Sequence, residues 1–86
     1  MRKHKDAVKK HRQSLAKRAR NRAARSALRT AVKKVRAFVD GGDASSAQEA
    51  FKLALPIIGQ VSSKGAIHKR TASRLISRLT RAVNRV

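Results

Sequence analysis

The chain has 86 residues, of which 23 are Lys or Arg and only 4 are Asp or Glu, so its formal net charge is +19. A chain of this length can bury only a small core, and we expect residues 1–86 to form a single domain. Cysteine is absent, which excludes disulfides and thiolate metal sites, and the three histidines are too scattered to form a zinc site by themselves. Such a positive charge repels itself unless a polyanion neutralises it, which makes a nucleic acid the leading candidate partner.

Membrane and secretory functions are disfavoured by the distribution of apolar residues. No stretch approaches the roughly 20 apolar residues of a membrane span, and the basic N-terminal segment lacks the apolar core of a secretion signal. An organelle transit peptide is a further alternative for an Arg-rich, acid-poor N-terminus, but this segment runs unbroken into a core-forming helix. We therefore expect a cytoplasmic protein without a membrane partner.

The first predicted helix spans about residues 7–39. Five of its apolar residues are spaced 4, 3, 4 and 3 positions apart and share one narrow face: Ala24, Leu28, Ala31, Val35 and Phe38. The same rhythm continued backwards meets only polar residues: Asn21, Lys17, Ser14 and Lys10. The core should therefore end near Ala24, and residues 1–20 should project as a basic arm that frays without a bound polyanion, because like charges repel at helical spacing.

A leucine-zipper basic region is an alternative interpretation of residues 19–30, which read A-R-N-R-A-A-R-S-A-L-R-T. A zipper needs three or four heptads, whereas the apolar face of the first helix stops after about two, at Gly41 and Gly42. The paired alanines also lie one position too close to Asn21 for the zipper signature. The apolar face is better explained as one side of an intramolecular core.

The second predicted helix follows a turn at residues 40–43, where glycine can adopt the left-handed conformation that ends a helix. Ser45 with Gln48, or Ser46 with Glu49, offers a capping box at its start. Its apolar face repeats the first spacing with Ala47, Phe51, Ala54, Ile58 and Val61. Pro56 predicts either a kink or an end at Leu55, and the continuing apolar spacing favours the kink.

A second turn at residues 62–65 precedes the third predicted helix, whose apolar face consists of Ala72, Leu75, Leu79, Ala82 and Val86. Three such faces joined by short turns predict an all-α fold: a three-helix bundle, residues 21–86, with a long basic first helix that protrudes from it. Both phenylalanines lie on these faces and are predicted to belong to the core.

Two stripes of cations accompany the predicted core. On the first helix they cluster within about a quarter turn, on the side opposite the apolar face: Arg18, Arg22, Arg25, Arg29, Lys33 and Arg36. On the third helix the corresponding stripe is Arg70, Arg74, Arg78, Arg81 and Arg85. Arginine can bind a phosphate with two parallel hydrogen bonds, and the neighbouring hydroxyls of Ser14, Ser26, Thr30, Ser73 and Ser77 are further candidate donors.

These stripes favour recognition of phosphate geometry over base stacking, since no aromatic side chain is free to stack. Folded RNA offers suitably close-set phosphates, while a nucleoid-type DNA-binding protein remains the alternative. An enzyme is disfavoured because the carboxylates cluster near a turn and His68 is better explained as a packing or phosphate-contacting residue. The arm also has too few large apolar residues for a membrane-active helix. We expect no cofactor, no metal and no small-molecule substrate.

Three ordered segments resemble the S20 family of bacterial small-subunit ribosomal proteins. They are N-R-A-A-R-S-A-L-R-T-A-V-K-K-V (residues 21–35), G-D-A-S-S-A-Q-E-A-F (42–51) with Pro56 and Ile57 following, and K-G-A-I-H-K-R-T-A-S-R (64–74). The resemblance covers most of residues 9–80, whereas the first eight residues match poorly. Arg70 stands where the family usually has Asn, and Leu75 and Ile76 stand where basic residues are common, so that Ile76 is expected to widen the core instead.

The resemblance implies a three-helix bundle that binds 16S ribosomal RNA directly and early in assembly of the small subunit, beside other subunit components. Carried over by position, the implied contacts are Arg22, Arg25, Ser26, Arg29, Thr30, Lys33, Lys34, Lys64, His68, Lys69 and Arg74. The basic arm and the third-helix stripe add the remaining candidates: Lys9, Lys10, Arg12, Ser14, Lys17, Arg18, Arg70, Arg78 and Arg81.

Overall fold

The computed structural model describes the backbone of residues 2–86 and the side chains of residues 7–86. It consists of three helices, α1 (Arg2–Asp40), α2 (Ala44–Ser63) and α3 (Lys69–Asn84), and within the described range there is no strand. The predicted all-α fold with a long first helix is confirmed, although α1 begins five residues earlier than the predicted start. The molecule measures 62 Å in its longest direction and 20 and 15 Å in the others, as a 39-residue helix requires. None of the described helices has an apolar stretch long enough to cross a membrane.

The core lies where the three apolar faces meet. The side chains buried there are Leu28, Val32, Val35, Ala47, Ala54, Ile58, Val61, Ala72, Leu79 and Val83. Each large aliphatic side chain removed from water contributes on the order of 2 kcal/mol before the entropy of ordering it is subtracted. Among the apolar side chains of α1, partial burial begins at Ala24, and Leu28 is the first that is buried, as the sequence predicted. Ile76 packs against this core, as expected.

Two predicted core residues, Phe38 and Val86, are exposed, and a third, Ala82, is half-buried and lies outside the core. Phe38 keeps 38% of its surface exposed, because the buried face of α1 is centred on Leu28, Val32 and Val35 and Phe38 points away from that centre. Val86 is also 38% exposed, since α3 ends at Asn84 and the buried position one turn earlier is taken by Val83. The spacing rule found the correct helices, but on α1 it placed the centre of the buried face too far toward Phe38.

The turn between α1 and α2 ends one helix and begins the next within three residues. Gly42 has φ +73°, and the N–H of Asp43 donates to the Phe38 carbonyl at 3.0 Å. The Asp43 carboxylate then accepts from the backbone N–H of Ser46 at 3.1 Å and caps α2. Hydrogen bonds from the hydroxyl and the backbone N–H of Ser46 hold the pKa of Asp43 below its usual value. The predicted caps at Ser45 or Ser46 were wrong, because α2 begins at Ala44, which makes Asp43 the N-cap and places both serines inside the first turn.

α2 continues through Pro56 and ends at Ser63, so the helix does not stop at Leu55, while the favoured kink at Pro56 stays a prediction. Proline removes one hydrogen bond from the helix, and burial of Ala54 and Ile58 on either side offsets that loss. The predicted second turn follows, with Gly65 at φ +77° and the N–H of Ala66 donating to the Val61 carbonyl at 3.1 Å. This turn fixes the position from which Lys64 projects.

Candidate nucleic-acid interface

The six cations of the α1 stripe are all exposed: Arg18, Arg22, Arg25, Arg29, Lys33 and Arg36. At about 100° per residue, the stripe lies roughly 90° around the helix from the buried face, so it flanks the core and does not oppose it as predicted. The reason is the same displacement of the core toward Val32 that left Phe38 exposed. Residues 7–39 contain no acidic side chain, and the stripe is therefore a continuous positive surface.

The arm, defined as residues 1–20, has exposed side chains at every position from 7 to 20. Its predicted contact residues are Lys9, Lys10, Arg12, Ser14, Lys17 and Arg18, and all six are accessible. At helical spacing these cations point in several directions around the axis, whereas the α1 stripe points in one. Met1 and the side chains of residues 2–6 lie outside the described part of the chain.

The α3 stripe is also exposed along its length: Arg70, Arg74, Arg78, Arg81 and Arg85. Here the cations do lie opposite the buried residues Ala72, Leu79 and Val83, as predicted. The two stripes thus occupy different helices, α1 and α3, of the same bundle. A nucleic acid could contact either stripe without displacing core side chains.

His68 has a structural role that the sequence analysis did not anticipate. Its Nδ1 accepts a hydrogen bond from the backbone N–H of Arg70 at 3.1 Å, which caps the beginning of α3. The ring remains exposed, so its other nitrogen can still face a ligand. Lys64 and Lys69 are exposed on either side of this turn and bring two further cations to the same end of the bundle.

Three other predicted contacts, Ser26, Thr30 and Lys34, line a groove of about 930 Å³ between α1 and α2. The rest of the groove is mostly apolar and includes the exposed Phe38 and Leu53, the latter 73% accessible. The Thr30 hydroxyl donates to the Ser26 carbonyl at 3.1 Å. Its proton is therefore already used within the helix, and Thr30 could contact a ligand only by accepting a hydrogen bond.

A second, smaller cleft of about 490 Å³ lies where the turn between α2 and α3 faces α1. Its polar lining is Lys17, Arg20, Asn21 and Lys64. Arg20 and Asn21 were absent from the predicted contacts, although the backward extension of the apolar seam to Asn21 and Lys17 was a usable signal. We call this feature the basic cleft.

Among the described residues no group of three or more His, Asp or Glu side chains could hold a metal ion. The fold and the exposed stripes instead define a small, strongly basic helical protein of the type that binds nucleic acids.

Comparison with known proteins gives the family. The sequence model described as "Ribosomal protein S20" matches residues 2–84, and the chain belongs to that family. Proteins named "Small ribosomal subunit protein bS20" are similar to it: 46% identical in Geobacter metallireducens and 48% in Geotalea daltonii, each over 84 residues. Both alignments cover 98% of this chain and 97% of the relative. The protein of that name from Desulfovibrio desulfuricans is 46% identical over 86 residues, which is 100% of this chain and 97% of the relative.

The family match reaches further toward the N-terminus than the three resembling segments. It spans residues 2–84, whereas the resemblance covers most of residues 9–80. Short basic stretches align weakly by inspection because Lys and Arg recur throughout this chain.

Proposed function

We propose that this chain is a structural constituent of the small ribosomal subunit that binds 16S ribosomal RNA directly and supports subunit assembly. It acts in the cytoplasm as part of the ribosome, beside other small-subunit components, without catalysis and without a cofactor. Full-length similarity to proteins named for the small ribosomal subunit supports the assignment to that particle.

The observation that carries direct RNA binding is the uninterrupted positive surface of α1 over residues 7–39. Twelve Lys and Arg residues and no Asp or Glu lie between residues 7 and 39, and each of these cations is exposed. A folded RNA releases condensed counterions when such a surface replaces them, which makes binding favourable. The phosphate charge also removes the self-repulsion of the free protein.

The arm and the two stripes have complementary parts in this proposal. The arm extends away from the core and can follow an RNA groove that the bundle is too wide to enter. The α1 and α3 stripes hold phosphates against a rigid bundle, so RNA segments that would otherwise repel one another can pack closely. No observation favours duplex DNA as the partner.

The α1 stripe is tested by replacing two of its arginines with uncharged residues. We expect Arg25→Gln with Arg29→Gln to weaken binding to 16S ribosomal RNA by about 100-fold near 0.15 M salt, because two charge-assisted phosphate contacts are lost. The plot of log K against log salt should become shallower by about 2. Filter binding across a salt series measures both quantities.

A matched control is available on α2. Gln48→Glu with Lys52→Gln also lowers the net charge by 2 and also changes two exposed residues four positions apart. It should alter the affinity by less than about 3-fold, since screening weakens charges that do not touch the RNA. Equal losses in the two variants would show that the stripe is not a binding surface, whereas loss of helicity in the Arg25 and Arg29 variant would show that these arginines are structural.

A further inference from the structure

The basic cleft lies on the face of α1 that continues the core beyond the end of the bundle. Lys17, Arg20, Asn21 and Ala24 occupy positions i, i+3, i+4 and i+7, so they share one side of the helix. Toward the C-terminus the same side buries Leu28 and Val35. The side of α1 that faces the other helices thus changes at Asn21 from apolar to polar and cationic.

The opposite wall of the basic cleft is held by the backbone. Lys64 is the C-cap of α2, where its N–H donates to the Gln60 carbonyl at 3.0 Å, and Gly65 turns the chain at φ +77°. The remaining lining residues, Ala23 and Ala24, are small and leave the cleft open. A cation on a rigid turn therefore faces two cations and an amide on a helix, and none of the described carboxylates lines the space between them.

We propose that the basic cleft binds one phosphodiester group of an RNA strand. Arg20 donates in parallel to two phosphate oxygens, Lys17 and Lys64 supply charge from the two walls, and the half-buried Asn21 donates from its side-chain amide. The cleft thereby attaches the bundle to RNA at the point where the arm leaves it. This inference rests on the proposed function, since the phosphate belongs to the RNA that the chain binds.

Arg20 is well suited to separate this site from the α1 stripe. It lies about half a turn around α1 from the centre of the stripe, so a phosphate bound by Arg25 or Arg29 is out of its reach. Substitution of Arg20 therefore tests the cleft alone. Its matched control is Lys52, another exposed cation on a helix, which lies outside the cleft and both stripes.

The experiment is a double-mutant cycle measured by binding of the full chain to 16S ribosomal RNA. We expect Arg20→Gln and Lys64→Gln each to weaken binding by about 10-fold, and the combination by about 20-fold instead of 100-fold, because both contact one phosphate. The salt slope should fall by about 1 in the double variant and not by 2. When Arg20→Gln is combined with Arg25→Gln, the two losses of affinity should multiply, since these residues contact different phosphates.

Asn21→Asp provides a second test with nearly unchanged side-chain shape. A carboxylate in the cleft repels the phosphate, so we expect a loss of about 10-fold or more, against less than about 3-fold for Gln48→Glu, which adds the same charge on exposed α2. Circular dichroism and the thermal midpoint should stay close to those of the unsubstituted chain. A fall in the midpoint together with affinity would assign Asn21 a folding role.

The cleft proposal is overturned if Arg20→Gln weakens RNA binding no more than Lys52→Gln does. It is also overturned if the losses of affinity at Arg20 and Lys64 multiply, as those at Arg20 and Arg25 are expected to. Failure of the proposed function would give a different result: the unsubstituted chain would bind 16S ribosomal RNA no more tightly than an unrelated folded RNA of equal length. The coupling between Arg20 and Lys64 can then be measured on either RNA, so the two conclusions remain separate.

Discussion

The two halves of α1 have similar charge but different surroundings. Between residues 7 and 20 every side chain is exposed, whereas between residues 21 and 40 the same helix buries Leu28, Val32 and Val35 against α2 and α3. In the bundle half, tertiary packing stabilises the helix, and the cations occupy the surface left free. In the arm, helix propensity acts against charge repulsion with no packing to assist it.

This difference teaches that buried side chains of the bundle supply stability, whereas the exposed cations of the arm and the stripes are the ones proposed to supply RNA affinity. The arm adds positive charge and length to the molecule, and its described side chains, residues 7–20, are all exposed. The bundle supplies the core and holds the α3 stripe and Lys64 in fixed positions. Fraying of the free arm stays a prediction, and bound RNA should supply the stabilisation that packing supplies in the bundle.

Removing the arm should produce the largest effect. A chain of residues 21–86 lacks nine Lys and Arg residues, and we expect its affinity for 16S ribosomal RNA to fall by about 1000-fold near 0.15 M salt. Its thermal midpoint should shift by less than about 3 °C, because the core begins at Ala24 and Leu28. Filter binding and calorimetry measure the two quantities. A large fall in the midpoint would mean that the arm also stabilises the bundle.

The opposite result is expected when a core side chain of the bundle is shortened. Ile58 is fully buried, so Ile58→Ala should lower the free energy of unfolding by about 2–4 kcal/mol. Leu53→Ala is the control, since 73% of Leu53 is exposed and its loss should cost less than about 0.5 kcal/mol. Urea denaturation monitored by circular dichroism compares the two variants. Equal losses would place the core elsewhere than between the three buried faces.

His68 combines a folding role, the cap of α3, with a proposed role in RNA binding, and substitutions can separate the two. His68→Asn keeps a side chain that can cap α3 while removing the imidazole. We expect a 3- to 5-fold loss of RNA affinity, about that of one modest hydrogen bond, with the thermal midpoint nearly unchanged. His68→Ala should lower the midpoint as well. If His68→Asn binds RNA like the unsubstituted chain, His68 only caps the helix.

Most of the fold could be predicted because the spacing of the apolar residues and the positions of the turn glycines indicated the same three helices. The buried faces of α2 and α3 followed the spacing rule at Ala47, Ile58 and Leu79, and glycines marked both turns. The error at Phe38 arose because a narrow 4, 3 spacing fits more than one direction around a helix rich in alanine. Only packing against α2 and α3 decides between Val32 and Phe38.

The candidate site was less predictable than the fold. The stripes follow from helical spacing alone, which is why their exposure could be anticipated. The basic cleft joins Arg20 and Asn21 to a residue more than forty positions away, and one sequence contains no direct signal for that approach. The cap made by His68 was missed for a related reason, since histidine is an uncommon choice at that position. The contact residues and the single-domain assignment stay predictions.

The most direct test of RNA recognition is a competition experiment. Labelled 16S ribosomal RNA bound to the full chain is challenged with unlabelled RNA or with duplex DNA of equal phosphate content across a salt series. Both complexes should weaken as salt rises, because counterion release contributes to both. We predict that the RNA keeps a preference of about 100-fold near 0.2 M salt, which specific recognition of its folded shape requires. Coinciding competition curves would contradict the account and leave the stripes as a general polyanion-binding surface.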